Sequence, residues 1–139
     1  MPKVAKAKKT RQWIQNALED AKTQDIAVLD VRKISDFTDY MVIATGTSNR
    51  HVQSSADKVV DALRDHGVRP VGIEGKQLGD WVLIDVGDVV VHLMREPTRD
   101  FYNLEKLWSD AKRVVPGAVK SARPRKKKAK PRMNADERR

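Results

Sequence analysis

Trp81-Val82-Leu83-Ile84-Asp85-Val86-Gly87-Asp88-Val89-Val90-Val91-His92-Leu93-Met94 decides the fold. Two strongly apolar runs flank Gly87-Asp88, a two-residue loop with glycine first, as a type II′ turn requires. That loop sets the register of a β-hairpin: Val86 faces Val89, Asp85 Val90, Ile84 Val91, Leu83 His92, Val82 Leu93 and Trp81 Met94. Side chains alternate between the faces of a sheet. One face therefore carries Val82, Ile84, Val86, Val89, Val91 and Leu93, wholly aliphatic and necessarily core. The other carries Trp81, Leu83, Asp85, Val90, His92 and Met94, apolar but interrupted by a carboxylate and an imidazole. Two readings of this second face stand open. Either helices cover it and satisfy Asp85 and His92 near an edge, or it is an exposed Trp/Leu/Met patch kept for a partner.

Upstream, Tyr40-Met41-Val42-Ile43-Ala44 and Ile26-Ala27-Val28-Leu29-Asp30-Val31 read as strands buried on both faces, with a turn at Asp36-Phe37-Thr38-Asp39. Thr45 to Asn49 joins the later strand to a helix that runs to about His66, with Ser48 as N-cap and Gly67 just past its end. Val52, Ala56, Val59 and Leu63 mark the inner face of that helix. Val71 to Glu74 follows as a short strand, and strand–helix–strand in this order predicts parallel pairing. An earlier helix is expected from Arg11 to about Lys22, where Trp13, Ala17 and Ala21 recur at i, i+4 and i+8. After Pro97, Phe101, Leu104 and Trp108 predict one small apolar helical face. The expected class is α/β: a mixed sheet of about five strands with helices packed on it.

The net charge of +9 on 139 residues is unevenly spread. Residues 1–11 hold five basic groups and no acid, and residues 112–139 hold twelve basic groups and two acids. The middle keeps 11 basic and 17 acidic residues, a net charge of −6. The chain thus divides into a basic flexible arm (1–10), an acidic α/β domain (11–111) and a basic disordered tail (112–139). The absence of cysteine excludes disulfides and thiolate chemistry and suits a reducing cytoplasm. No run of 18 apolar residues spans a membrane, and the lysine-rich start does not read as a secretory signal.

Catalytic motifs are weak. The Thr45-Gly46-Thr47-Ser48-Asn49-Arg50 loop lacks the spacing of either common phosphate-binding fingerprint, and a capped strand-to-helix junction explains it better. A nucleotidyltransferase would need closely paired carboxylates for magnesium. Asp36/Asp39 and Asp85/Asp88 are three apart, at turns. His51, His66 and His92 lack metal-ligand spacing, and Ser48 with His51 has no evident third partner. No enzyme, metal or cofactor is expected. In the tail, Arg123, Arg125, Lys126, Lys127, Lys128, Lys130 and Arg132 lack interleaved aromatics, which fits sequence-independent, salt-sensitive phosphate contact. A merely solubilising tail is the other reading.

Five segments in this order resemble the Iojap family of ribosomal silencing factors. They are Phe37-Thr38-Asp39-Tyr40; Thr45 to His51; Gly72-Ile73-Glu74-Gly75; Trp81 to His92; and Phe101-Tyr102-Asn103-Leu104-Glu105-Lys106-Leu107-Trp108. They cover about residues 11–110. The resemblance implies a nucleotidyltransferase-like topology without catalytic carboxylates, and binding to ribosomal protein fourteen of the large subunit. From there such a factor blocks joining of the small subunit and lowers translation under nutrient limitation or in stationary phase. It also implies a homodimer when free. The family's interface tryptophan falls on Trp81, which favours the exposed-patch reading. Leu83, Asp85, His92 and Met94 are its expected neighbours, with Tyr40, Asp39, Glu74 and Asp88 as further partner-binding candidates. The competing functions are a nucleotide-binding enzyme of nucleotidyltransferase type and an RNA-binding protein acting through its basic tails. The resemblance implies nothing about residues 112–139.

Overall fold

A computed structural model describes residues 3–114. The elements are α1 (Lys3–Asp20), β1 (Gln24–Asp30), β2 (Tyr40–Gly46), α2 (Asn49–Asp65), β3 (Gly72–Glu74), β4 (Trp81–Asp85), β5 (Val89–Arg95), α3 (Glu96–Tyr102), α4 (Leu104–Leu107) and β6 (Lys112–Arg113). The six strands form one mixed sheet in the order β3-β4-β5-β2-β1-β6. The mixed α/β class matches the expectation, with one strand more.

The β4–β5 hairpin has the register that its loop dictates, from Trp81 opposite Met94 to Asp85 opposite Val90. The Val86 N–H donates to the Val89 carbonyl (2.9 Å) to close it. Gly87 sits at φ +92°, open to glycine without steric cost. Val82, Ile84, Val89, Val91 and Leu93 are fully buried. They pack with Tyr40, Val42 and Ala44 of β2 and Val28 of β1 beneath α1 and α2. α2 presents Val52, Ala56, Val59 and Leu63 to this core, and its N-cap is Ser48, whose hydroxyl accepts from the His51 N–H (3.0 Å).

Three expectations need correction. First, β3 does not pair with β2. It pairs antiparallel with β4 at the sheet edge, and the parallel neighbour of β2 is β5. The crossover through α2 still returns a strand of the same direction, but the hairpin inserts between the two. A three-residue strand cannot satisfy a central one like β2, whereas β5 matches it over seven residues. Second, the helix begins at Lys3, well before Arg11. Ala7 and Thr10 are buried, extending the stripe that continues through Ile14, Ala17 and Leu18, so the Lys/Ala-rich start is held by packing as well as by helix propensity. Third, the fold continues past residue 111. Lys112 and Arg113 pair with Asp30 and Leu29, and the Val114 N–H donates to the Val28 carbonyl (2.8 Å). The outer edge of β1 otherwise leaves those backbone groups without strand partners. The tail residues Arg123, Arg125, Lys126, Lys127, Lys128, Lys130 and Arg132 lie outside the described residues.

A half-covered sheet face around Trp81

The second sheet face has its own core of Ala27, Leu29, Val31, Met41, Ile43 and Met94. Leu104, Trp108 and Ala111 cap it on the β1–β2 side. On the β3–β4 side Trp81, Leu83, Asp85 and Val90 are only half-buried, with Glu74 exposed beside Leu83. Helices therefore cover one half of this face and leave the other half-buried.

Trp81 is held from several directions. Its indole N–H donates to Nδ1 of His92 (3.0 Å), and its ring lies 4.8 Å from that of Tyr102. The segment leading into β4 is pinned by the first turns of α2. The Asn49 amide donates to the Leu78 carbonyl (2.7 Å), and the Gln53 amide donates to the carbonyls of Lys76 and Gln77 (both 2.8 Å). Gly75 and Gly79 permit this path at φ +82° and +77°. A Cβ on Gly75 would lie 2.0 Å from the Trp81 carbonyl oxygen, and one on Gly79 2.7 Å from that of Asn49. Neither position tolerates a side chain.

Tyr102 is brought over Trp81 by a buried arginine. Arg99 donates from Nη1 to the Asp25 carbonyl (2.7 Å) and Thr45 Oγ1 (2.8 Å), and from Nε and Nη2 to the two oxygens of Glu105 (2.9 and 2.8 Å). Burial alone would raise the Glu105 pKa. Its hydrogen bonds to Arg99, with Arg113 nearby, instead hold it below its ordinary range. α3 is thereby locked onto the end of β2. Phe101, edge-on to Tyr102 at 5.0 Å, is 81% exposed. The anticipated Phe101/Leu104/Trp108 face does not exist as one surface. Asn103 at φ +47° ends α3 and starts α4, so Leu104 and Trp108 turn inward while Phe101 stays out.

The sequence candidates scatter over this frame. Trp81 and Leu83 share the open half with Glu74 and Asp85. His92 and Met94 are buried beneath them, so neither is available as a contact surface. His92 is neutral: burial lowers its pKa to about 4. Tyr40 is buried on the opposite face, with the guanidinium groups of Arg11 and Arg32 over its ring at 4.9 and 5.6 Å. It points away from Trp81 because pairing in β2 places it beside Val89. Asp85, Asp88 and Asp39 gather at the hairpin-loop end, roughly 13 Å along β4 from Trp81 at strand rise. There the Asp85 carboxylate accepts from Gly87 N–H (2.9 Å), and the Asp88 carbonyl accepts from the N–H groups of Asp39 and Tyr40 (2.9 and 3.1 Å). The Asp85/Asp88 pair keeps the turn role expected of it.

Sequence reading missed Tyr102, Phe101, Arg99, Asn49 and Gln53 as parts of this surface. Only the adjacent aromatics Phe101-Tyr102 carried a signal, since a helix cannot bury two neighbours on one narrow stripe. His51 also has a structural task. Its Nδ1 accepts from the Thr47 N–H (2.9 Å) and its Nε2 donates to the Ala21 carbonyl (2.7 Å), tying the start of α2 to the end of α1.

The chain matches the family model described as ribosomal silencing factor during starvation over residues 4–139. A ribosomal silencing factor of Chromobacterium violaceum is 46% identical over 108 residues, which cover 78% of this chain and 87% of that protein. A mouse protein named for mitochondrial assembly of the ribosomal large subunit is 40% identical over 95 residues, 66% of this chain and 42% of its own length. The crystal structure of a Chromobacterium violaceum protein is similar, with a TM-score of 0.72 at 44% identity, covering 73% of this chain and 85% of that one. By sequence and by fold alike, the chain belongs to the ribosomal silencing factor family.

Proposed function

We propose that this chain represses translation by occupying the large ribosomal subunit through its Trp81 face, so that the small subunit cannot join. Ribosomal protein fourteen of the large subunit is the proposed partner. The observation that carries this reading is Trp81 itself. It is a large aromatic left half-exposed on an otherwise packed sheet, and backbone, His92 and Tyr102 hold it in one orientation. Rigid aromatics flanked by apolar neighbours are what dominate binding energy at protein interfaces. Leu83, Tyr102 and Phe101 supply that flank. Glu74 and Asp85 give the face a negative rim suited to a basic ribosomal protein. The family, and the large-subunit name of the mouse relative, support the same direction.

No chemistry is required, only occupancy. An interface of roughly 800 Å² per partner excludes a competing surface. The free chain is proposed to be a homodimer, in which a second copy shields the same apolar patch, and to act in the cytoplasm under nutrient limitation. The test is cosedimentation with separated subunits followed by a subunit-joining assay. Retention on large subunits alone, with joining suppressed, is expected. Trp81→Ala should weaken retention by about 2 kcal/mol or more, roughly thirtyfold. Undiminished retention of a folded Trp81→Ala protein, or normal joining at saturation, overturns the proposal.

A further inference from the structure

Beneath the open half of the Trp81 face lies a polar side chain with one donor to spare. His92 stands on β5 between Leu83 of β4, which is half-buried, and Ile43 of β2, which is fully buried. It therefore marks the line where the cover over this face ends. Its ring is 6% exposed and offers no contact area of its own. An indole N–H can only donate, so the 3.0 Å hydrogen bond from Trp81 makes Nδ1 of His92 the acceptor. A neutral imidazole carries its proton on the other nitrogen, and burial keeps this ring neutral. Nε2 is thus an N–H donor at the tip of the ring. It has no hydrogen-bond partner among the described residues, yet it is not sealed from solvent: the fully buried side-chain atoms left without a partner belong to Arg11, Asp39 and Ser55. The small exposed fraction of His92 includes this N–H.

We propose that the Nε2–H of His92 is a binding donor at the floor of the Trp81 face, and that the docked partner sets a backbone carbonyl oxygen on it. The inference rests on the docking proposal and names the chemistry that the partner must bring. A neutral oxygen fits better than a carboxylate, because Glu74 and Asp85 border the same open half and repel a further anion. Trp81 and Leu83 attract any apolar surface. His92 does not, because a partner that covers this N–H without an acceptor buries an unpaired donor, at the full desolvation cost of the group. That cost discriminates against wrong partners. The hairpin register holds the donor in place: Leu83 lies opposite His92, and Trp81 lies diagonally and locks the ring through Nδ1. Donor and anchor reach a partner as one fixed pair.

The test has two arms. In the first, the full chain with isotopically labelled histidine is observed by long-range proton–nitrogen correlation spectroscopy, free and with purified ribosomal protein fourteen. The free chain should show the His92 proton on Nε2, and the partner should move that proton downfield and slow its exchange with solvent. A proton on Nδ1 in the free chain, or an Nε2–H that the bound partner leaves unshifted, overturns the proposal. In the second arm, retention on large subunits is compared for two variants. His92→Gln keeps both an acceptor for Trp81 and an outward N–H, and should bind within about threefold of the parent. His92→Met fills similar space without a donor and should weaken retention roughly tenfold. Near-ultraviolet circular dichroism verifies the fold and the tryptophan environment, and where His92→Met disturbs them the first arm decides alone. Retention of a folded His92→Met like the parent, or equal loss in both variants, overturns the proposal. Failure of the docking proposal reads differently, since Trp81→Ala is then retained like the parent whatever stands at position 92.

Discussion

The Trp81 indole donates its hydrogen bond to Nδ1 of His92, which sits diagonally across the β4–β5 pair at 3.0 Å. An imidazole can accept there only when it is neutral, so the orientation of the exposed aromatic depends on the protonation state of a buried base.

Stability should therefore fall with acidity. Burial lowers the folded-state pKa of His92 to about 4, against an ordinary value of 6.5. The unfolded chain takes up this proton first, so the contribution is complete above pH 6.5 and is lost as pH drops from there toward 4. At pH 5 the loss from this one group is about 2 kcal/mol. Urea unfolding at pH 7.5 and pH 5 measures it, and His92→Gln, which keeps an acceptor without titrating, should remove most of the difference.

Phe101→Ser should separate binding from folding. The ring is almost wholly outside the core, so unfolding free energy should change by no more than about 0.5 kcal/mol. Retention on large subunits should drop about tenfold if the ring flanks the anchor. Equal retention of parent and variant would remove Phe101 from the proposed interface.

Gly75→Ala should act at a distance on Trp81. The added methyl collides with the Trp81 carbonyl and occupies a positive φ, so a cost above the roughly 1–3 kcal/mol of the backbone strain alone is expected. Near-ultraviolet circular dichroism of the tryptophan environment should change. Gly72→Ala, where the added Cβ meets nothing within 4 Å and the backbone is not at positive φ, should leave that signal intact.

Arg99→Met should loosen α3. It leaves Glu105 without its bidentate partner and Thr45 Oγ1 without its donor, at a cost of about 3 kcal/mol, the low end for a buried pair because Glu105 keeps some solvent contact. Amide exchange should then quicken through residues 96–107 before the hairpin. Arg99→Lys should not restore protection, since one ammonium cannot reproduce four directed hydrogen bonds.

Much of the frame was legible in the chain itself. The Gly87-Asp88 loop, the alternation on either side of it, and the Ser48 cap with the Val52/Ala56/Val59/Leu63 stripe all rest on local periodicity, and all recur in the structure. Less legible were the features governed by remote contacts. Tyr40 follows Asp39 in the chain and its N–H donates to the Asp88 carbonyl, but its side chain faces the other core, because its orientation follows its pairing with Val89. Arg99 looked like any helical arginine. Its carbonyl and hydroxyl acceptors come from residues 74 and 54 positions away.

By itself, then, the sequence determined a register and two chemically distinct sheet faces, because side-chain alternation and turn geometry act over a few residues. Only the tertiary structure decided how far the second face is covered. A half-covered face results because α3 and α4 are short, break at Asn103, and are tied by Arg99 to one end of the sheet. Coverage depends on where separate elements come to rest against each other, and no local pattern encodes that distance.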